Sequence, residues 1–171
     1  LARVAALRDA RALGAELARL HADGVGALFL FTGMADPGDS RMVIATLGQG
    51  GLSLPDRDYY FRDDSASRHV RAEFAAHVAR ALRLTGVAPA EAAVQAKTVR
   101  RIETALAGAS MTRVQQRDPL AIYHRMPLAE LARLCPRFDW NGYLLAAGLL
   151  AVKDVNVRQP AFFAALDSAL A

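Results

Sequence analysis

Apolar residues Val4, Leu7, Leu13, Leu17 and Leu20 recur at helical spacings through residues 1–22, and Gly24 follows as a stop. The spacing predicts one helix there. The pattern then changes. Ala27-Leu28-Phe29-Leu30-Phe31 is a continuous apolar run too short for a helix, and Met42–Leu47 supplies a second run of strand character. Between them, Asp36-Pro37-Gly38-Asp39 places Pro and Gly at the two central positions of a type II turn. The two runs predict a β-hairpin, which is marginal in water alone and must pack its apolar first strand on helices.

From Asp63 to the end the pattern predicts helices. Asp63, Asp64 and Ser65 offer caps for a helix running to Thr85, with Gly86 just past its end. Val70, Phe74, Val78, Ala81 and Leu82 form its apolar stripe. Pro89 suits the first turn of the next helix, anchored by Val99, Ile102 and Leu106. Shorter helices follow around Leu128–Leu134, Trp140–Leu149 and Pro160–Leu170, punctuated by Pro127, Pro136 and Pro160. No internal repeat or low-complexity tract is present. The expectation is a mainly α fold, a multi-helix domain with one small β-hairpin near the N-terminal third. Residues 1–171 form a single domain or a fragment of a larger one.

Composition narrows the function classes. The apolar fraction of 53% is inflated by alanine, a helix former that buries little area. The net charge of +4 and a pI near 9.7 raise the question of nucleic acid. The basic residues, however, are spread along predicted helices and interleaved with Asp and Glu, without adjoining stacking aromatics, so no nucleic-acid partner is expected. Cys135 is the single cysteine, which excludes an internal disulfide and a Cys-based metal cluster. No stretch approaches the roughly 20 apolar residues of a spanning helix. The chain begins at Leu1 and shows no targeting signal, as an excised fragment would.

The most distinctive stretch is Gln49-Gly50-Gly51-Leu52-Ser53-Leu54-Pro55-Asp56-Arg57-Asp58-Tyr59-Tyr60. The two glycines permit a tight reversal. Ser53, Pro55 and Asp56 have the form of a helix-start signal. Arg57 lies between two aspartates and offers a planar fork for bidentate pairing, and each tyrosine carries an apolar ring with a polar tip. This is a rigid turn into a short helix.

That segment resembles the "GLGLP-x-RDYY" stretch of the neprilysin and endothelin-converting-enzyme family of zinc metallopeptidases, with Ser53 at a usual glycine. Val99–Ala107, with Glu103 and Thr104, resembles the family's "E-x-x-(I/L)-A" helix. Arg117-Asp118 with Tyr123 and Met126 is similar to its "R-D…Y-N-x-M" stretch, with His124 replacing the asparagine. Pro136, Phe138 and Trp140 resemble its "P-x-(F/I)-x-W" segment, and the Phe29–Leu47 hairpin its strand, turn and strand. The resemblance spans most of the chain in the family's order.

The resemblance implies a two-domain enzyme. A C-terminal thermolysin-like domain carries an H-E-x-x-H helix and a third glutamate ligand. A largely helical N-terminal region closes over it, leaving a cavity that admits oligopeptides. In the parent, a zinc-polarised water attacks the peptide carbonyl with a glutamate as base. None of the motifs for that step occurs here, so no catalytic residue and no metal ligand is assigned to this segment. Zinc is expected outside it, the C-terminal catalytic domain and oligopeptides are the implied partners, and the implied location is extracytoplasmic. Arg57, Tyr59 and Tyr60 are the candidates for the cavity wall.

Other constellations carry less. His69, Glu73 and His77 share a helix face, but two helical steps of four separate the histidines by about 12 Å, too far to share one ion. Cys135 reads as a small buried residue, Arg100-Arg101 beside Glu103 as a solvated face, and Gly48–Gly51 as a loop without the Lys-Ser/Thr of a phosphate cradle. Trp140 with Tyr143, and Phe162 with Phe163, read as core anchors. Two other readings compete with a substrate-gating segment inactive on its own. One is a stand-alone helical binding module without peptidase activity, and the other a metal-binding protein built on His69, Glu73 and His77. A fragment of a two-domain shell also leaves apolar surface uncovered, which favours self-association.

Overall fold

The computed structural model describes residues 2–171. The elements in chain order are α1 (Ala2–Ala5), α2 (Ala10–Ala22), β1 (Phe29–Asp36), β2 (Asp39–Gln49), a 3-10 turn (Arg57–Tyr60), α3 (Ser65–Leu84), α4 (Pro89–Ala109), a second 3-10 turn (Gln115–Arg117), β3 (Arg125–Pro127), α5 (Leu128–Leu134), α6 (Trp140–Ala146), β4 (Asp154–Val157) and α7 (Pro160–Ala169). The fold is mainly α with a small β part. The chain divides into two compact units, one of residues 2–51 with 114–171 and one of Leu52–Arg113.

In the first unit the predicted hairpin forms as β1 and β2, antiparallel, with Phe29 opposite Gln49 and Phe31 opposite Leu47. It is half of a four-stranded sheet ordered β1-β2-β4-β3, where β4 runs parallel to β2 and antiparallel to β3. The sequence pattern predicts only helices in that later region. The helices α5, α6 and α7 stand there, but β3 runs directly into α5 and β4 lies between α6 and α7. Val155 and Val157 on β4 are fully buried beside Leu47 because that central position needs apolar side chains on both neighbours.

The turn is not type II, because Gly38 is absent from the residues with positive φ. Asp36 Oδ1 instead accepts the Gly38 N–H at 2.9 Å. A Cβ at Gly38 would collide with the Tyr123 hydroxyl, so close approach selects glycine there. Gly51 does use its freedom: its φ is +70°, and a Cβ would sit 2.8 Å from Leu28 Cα and O.

The predicted single N-terminal helix is broken. Asp9 adopts φ −155° and its carboxylate accepts the Ala12 N–H, which starts α2 afresh. Leu17 is buried while Val4 is half exposed. Aromatic rings fill the centre of this unit. Phe29 makes ring contacts with His21, Phe138, Trp140, Tyr143 and Phe163, at centroid distances of 5.3 to 5.7 Å.

In the second unit α3 packs on α4. The predicted punctuation holds: Asp64 caps α3 by accepting from Ser67 N, Thr85 ends it, and Gly86 follows at φ +93°. Pro89 occupies the first turn of α4. Ala92, Ala96, Leu106 and Ala107 are buried, so this interface is narrow and alanine-rich. Among the described residues, no helix is long and apolar enough to cross a membrane.

Candidate functional site

The corner from Leu52 to Tyr60 organises the second unit. Leu54, Tyr60 and Ala107 form its buried cluster, with Leu52, Tyr59, Val70 and Phe74 packed around them. Asp56 at φ −161° accepts the Asp58 N–H and starts the 3-10 turn. Asp56, and not Ser53, is therefore the helix-start residue. Ser53 serves a different partner. Its N–H donates to Glu103 Oε2 at 3.1 Å and its hydroxyl to Glu103 Oε1 at 2.8 Å.

Glu103 is 7% exposed, and a charge that buried must be met by donors. The third donor is Tyr60, whose hydroxyl lies 2.5 Å from Glu103 Oε2. The same phenol oxygen accepts the Leu54 N–H at 3.1 Å. Burial, then the hydrogen bond to Glu103, pushes the Tyr60 phenol far above its ordinary range. The sequence signal for Glu103 was its place in the α4 segment, but its distant partners were not legible there.

Arg57 does not fork onto its flanking aspartates. Its Nε donates to the Ala107 carbonyl at 3.0 Å and its Nη2 reaches the Gly108 carbonyl at 3.5 Å, so a cation closes the C-terminal end of α4. Its guanidinium also lies 5.5 Å from the Phe61 ring. Tyr59 is half-buried, and its carbonyl accepts from Arg71 at 2.8 Å. The structure thus brings Arg57, Tyr59 and Tyr60 together on one turn. Tyr60 has its polar tip inside the unit, while Arg57 and Tyr59 keep part of their surface outside.

Along α3, His69, Glu73 and His77 are all exposed. Phe74, His77, Val78, Ala81, Leu82, Thr85 and Ser53 line a shallow groove of about 430 Å³. The predicted apolar stripe is therefore only half covered.

In the first unit, a polar cluster holds the hairpin tip. Buried Asp36 accepts from the Tyr123 hydroxyl at 2.8 Å and from Arg125 at 3.3 Å, and Arg125 also meets Asp154 at 2.8 Å. The Gly38 backbone N–H, then Tyr123, then Arg125 hold the Asp36 carboxyl below its usual range against the opposing effect of burial. His124 N–H donates to Asn156 Oδ1 at 2.8 Å. His21 bridges Tyr143 at 2.8 Å and the Ala27 carbonyl at 2.9 Å. The carbonyl only accepts, so Nε2 carries a proton directed at it. Cys135 is fully buried and its thiol is pushed up to about 12, chiefly by that burial. Among the described residues, no group of three or more His, Cys, Asp or Glu side chains is placed to hold a metal ion.

The chain belongs to peptidase family M13, whose N-terminal profile matches residues 1–171. It is 30% identical to endothelin-converting enzyme-like 1 of Rattus norvegicus over 120 residues, which cover 69% of this chain and 15% of the relative. It is 32% identical to neprilysin-3 of Drosophila melanogaster over 111 residues, 65% of this chain and 14% of that protein. Among solved structures, the zinc metalloprotease Zmp1 of Mycobacterium tuberculosis in its open state matches with a TM-score of 0.91 and 31% identity, covering 99% of this chain and 26% of the other. The chain thus spans about a quarter or less of the proteins it matches.

Proposed function

We propose that this chain is the N-terminal, substrate-gating segment of a zinc metalloendopeptidase that hydrolyses oligopeptides, and that it is inactive as an isolated piece. The match of the family profile to all of residues 1–171 carries this reading. Relatives named as endothelin-converting enzyme and zinc metalloprotease support peptide hydrolysis by the parent.

The residues present do not fit the zinc. Catalytic zinc takes about three protein ligands and a water. His21 has both ring nitrogens engaged, and His69 and His77 stand about 12 Å apart along α3. The ion is therefore assigned to chain outside this segment, and no hydrolytic step is routed through these residues.

What this chain contributes is shape. Its partners are the catalytic domain of the same parent and oligopeptide substrates, in an extracytoplasmic setting. Arg57 and Tyr59, with exposed surface beside the Glu103–Tyr60 corner, are the wall residues, and Tyr60 fixes the turn that presents them. The half-covered stripe of Phe74, Val78 and Leu82 is the face that seeks cover, so the isolated chain self-associates through it. The gene sequence after Ala171 tests the assignment. An H-E-x-x-H downstream is the expected result, and a stop codon there contradicts it.

A further inference from the structure

Among the described residues, β1 is an edge strand of the four-stranded sheet. Its backbone directions follow from the sheet. The Arg158 N–H donates to the Leu47 carbonyl at 2.8 Å, so Leu47 turns its backbone polar groups towards β4 and not β1. Leu47 faces Phe31 in the ladder, which leaves the Phe31 groups pointing away from β2. By alternation, Gly33 and Ala35 point outward too, while Leu30, Thr32 and Met34 bond β2. The sheet order places β1 at the end, so no described strand meets these outward groups. Only a weak 3.4 Å contact from Thr32 Oγ1 touches the Gly33 carbonyl.

Edges are normally guarded by charge, proline or a covering element. Phe29-Leu30-Phe31-Thr32-Gly33-Met34-Ala35 contains neither charge nor proline, and Gly33 and Ala35 are exposed and small. A separate observation lies at the start of the strand. Val25, Phe29, Leu30, Phe31, Gly50 and Gly51 border an apolar hollow of about 430 Å³. An outward backbone ladder beside an apolar hollow is the combination that reads extended peptides, with main-chain bonds giving affinity and the hollow selecting a side chain.

We propose that the β1 edge binds an extended, predominantly apolar oligopeptide by strand addition, with one apolar side chain in the hollow bordered by Val25, Phe31 and Gly50. The choice of a peptide over a second copy of this chain rests on the reading of the parent as an oligopeptidase. The proposal gives the segment a positioning surface in addition to a gating one.

The test is a titration of the ¹⁵N-labelled 171-residue chain with the capped peptide acetyl-Thr-Val-Leu-Val-Thr-amide. The amides of Phe31, Gly33 and Ala35 shift and gain exchange protection, and those of Leu30, Thr32 and Met34 change little. Gly33→Pro removes one outward donor without breaking the β1–β2 ladder and lowers affinity about tenfold or more. Val25→Asp, at a half-exposed position, weakens the leucine peptide more than its alanine analogue. A peptide N-methylated on the pairing face does not bind. Equal binding by that peptide overturns the proposal, as does the absence of shifts at the three outward amides. Protection of those amides that rises with protein concentration before peptide is added also overturns it, assigning the edge to a second copy. Binding is read on this chain and hydrolysis on the longer enzyme, so either reading fails separately.

Discussion

The Tyr60 hydroxyl donates to Glu103 Oε2 across 2.5 Å, joining the Leu52–Tyr60 corner to the middle of α4. The same carboxylate receives the N–H and hydroxyl of Ser53, so one buried anion organises a turn more than forty positions away in sequence. The "RDYY" and "E-x-x-(I/L)-A" stretches are two halves of one hydrogen-bonded unit.

Tyr60→Phe keeps the ring and removes the hydroxyl. It leaves Glu103 short of a donor and the Leu54 N–H without its acceptor. The expected loss is about 1–3 kcal/mol of stability, measured by urea denaturation. An unchanged midpoint would show that water replaces the phenol at no cost.

The pH dependence has two arms. Tyr60 is raised from 10.0 by burial and by Glu103, so its contribution is fully present below about pH 10 and is lost as pH rises through the folded value. Tyr143, raised by burial, adds in the same sense. Asp36 is lowered from 3.8, so its contribution is present above about pH 4 and is lost as pH falls through its depressed value. Urea midpoints across pH should fall at both ends, and Tyr60→Phe should flatten the alkaline arm.

Gly38→Ala places a methyl where the Tyr123 hydroxyl sits and should break its bond to Asp36. Tyr123→Phe removes the obstacle together with the bond. The two substitutions should therefore combine to less than the sum of their separate losses in a double-mutant cycle. Strict additivity would contradict the close approach.

Phe29→Ala empties the middle of the aromatic cluster and should cost about 3–5 kcal/mol. Cys135, with its thiol pushed to about 12 and no exposed surface, should resist thiol reagents until the chain unfolds. Rapid labelling of the native chain would show that α5 and the residues after it open readily.

Local chemistry made much of this fold readable. The Asp64 cap, the Gly86 stop and Pro89 at the start of α4 act within a turn of their own positions, and the chain obeys them. The strands β3 and β4 gave no such signal. β4 has four residues and β3 three, and the β2–β4 pairing spans more than a hundred positions, so neither periodicity nor turn chemistry announces it. Arg57 shows the same limit. Its flanking aspartates suggested ion pairs, whereas its partners are carbonyls at the far end of α4. The Asp-Pro-Gly-Asp turn was located correctly, but in place of type II geometry the Asp36 carboxylate accepts the Gly38 N–H, and the contact of Tyr123 with that glycine, remote in sequence, was not legible.

The proposed role of this chain is to shape a peptidase without supplying its hydrolytic centre. The most direct measurement incubates the purified 171-residue chain with a flexible fluorogenic peptide and added zinc, with and without chelator. The account predicts no turnover above buffer in either arm. Chelator-sensitive cleavage by the pure chain would contradict it.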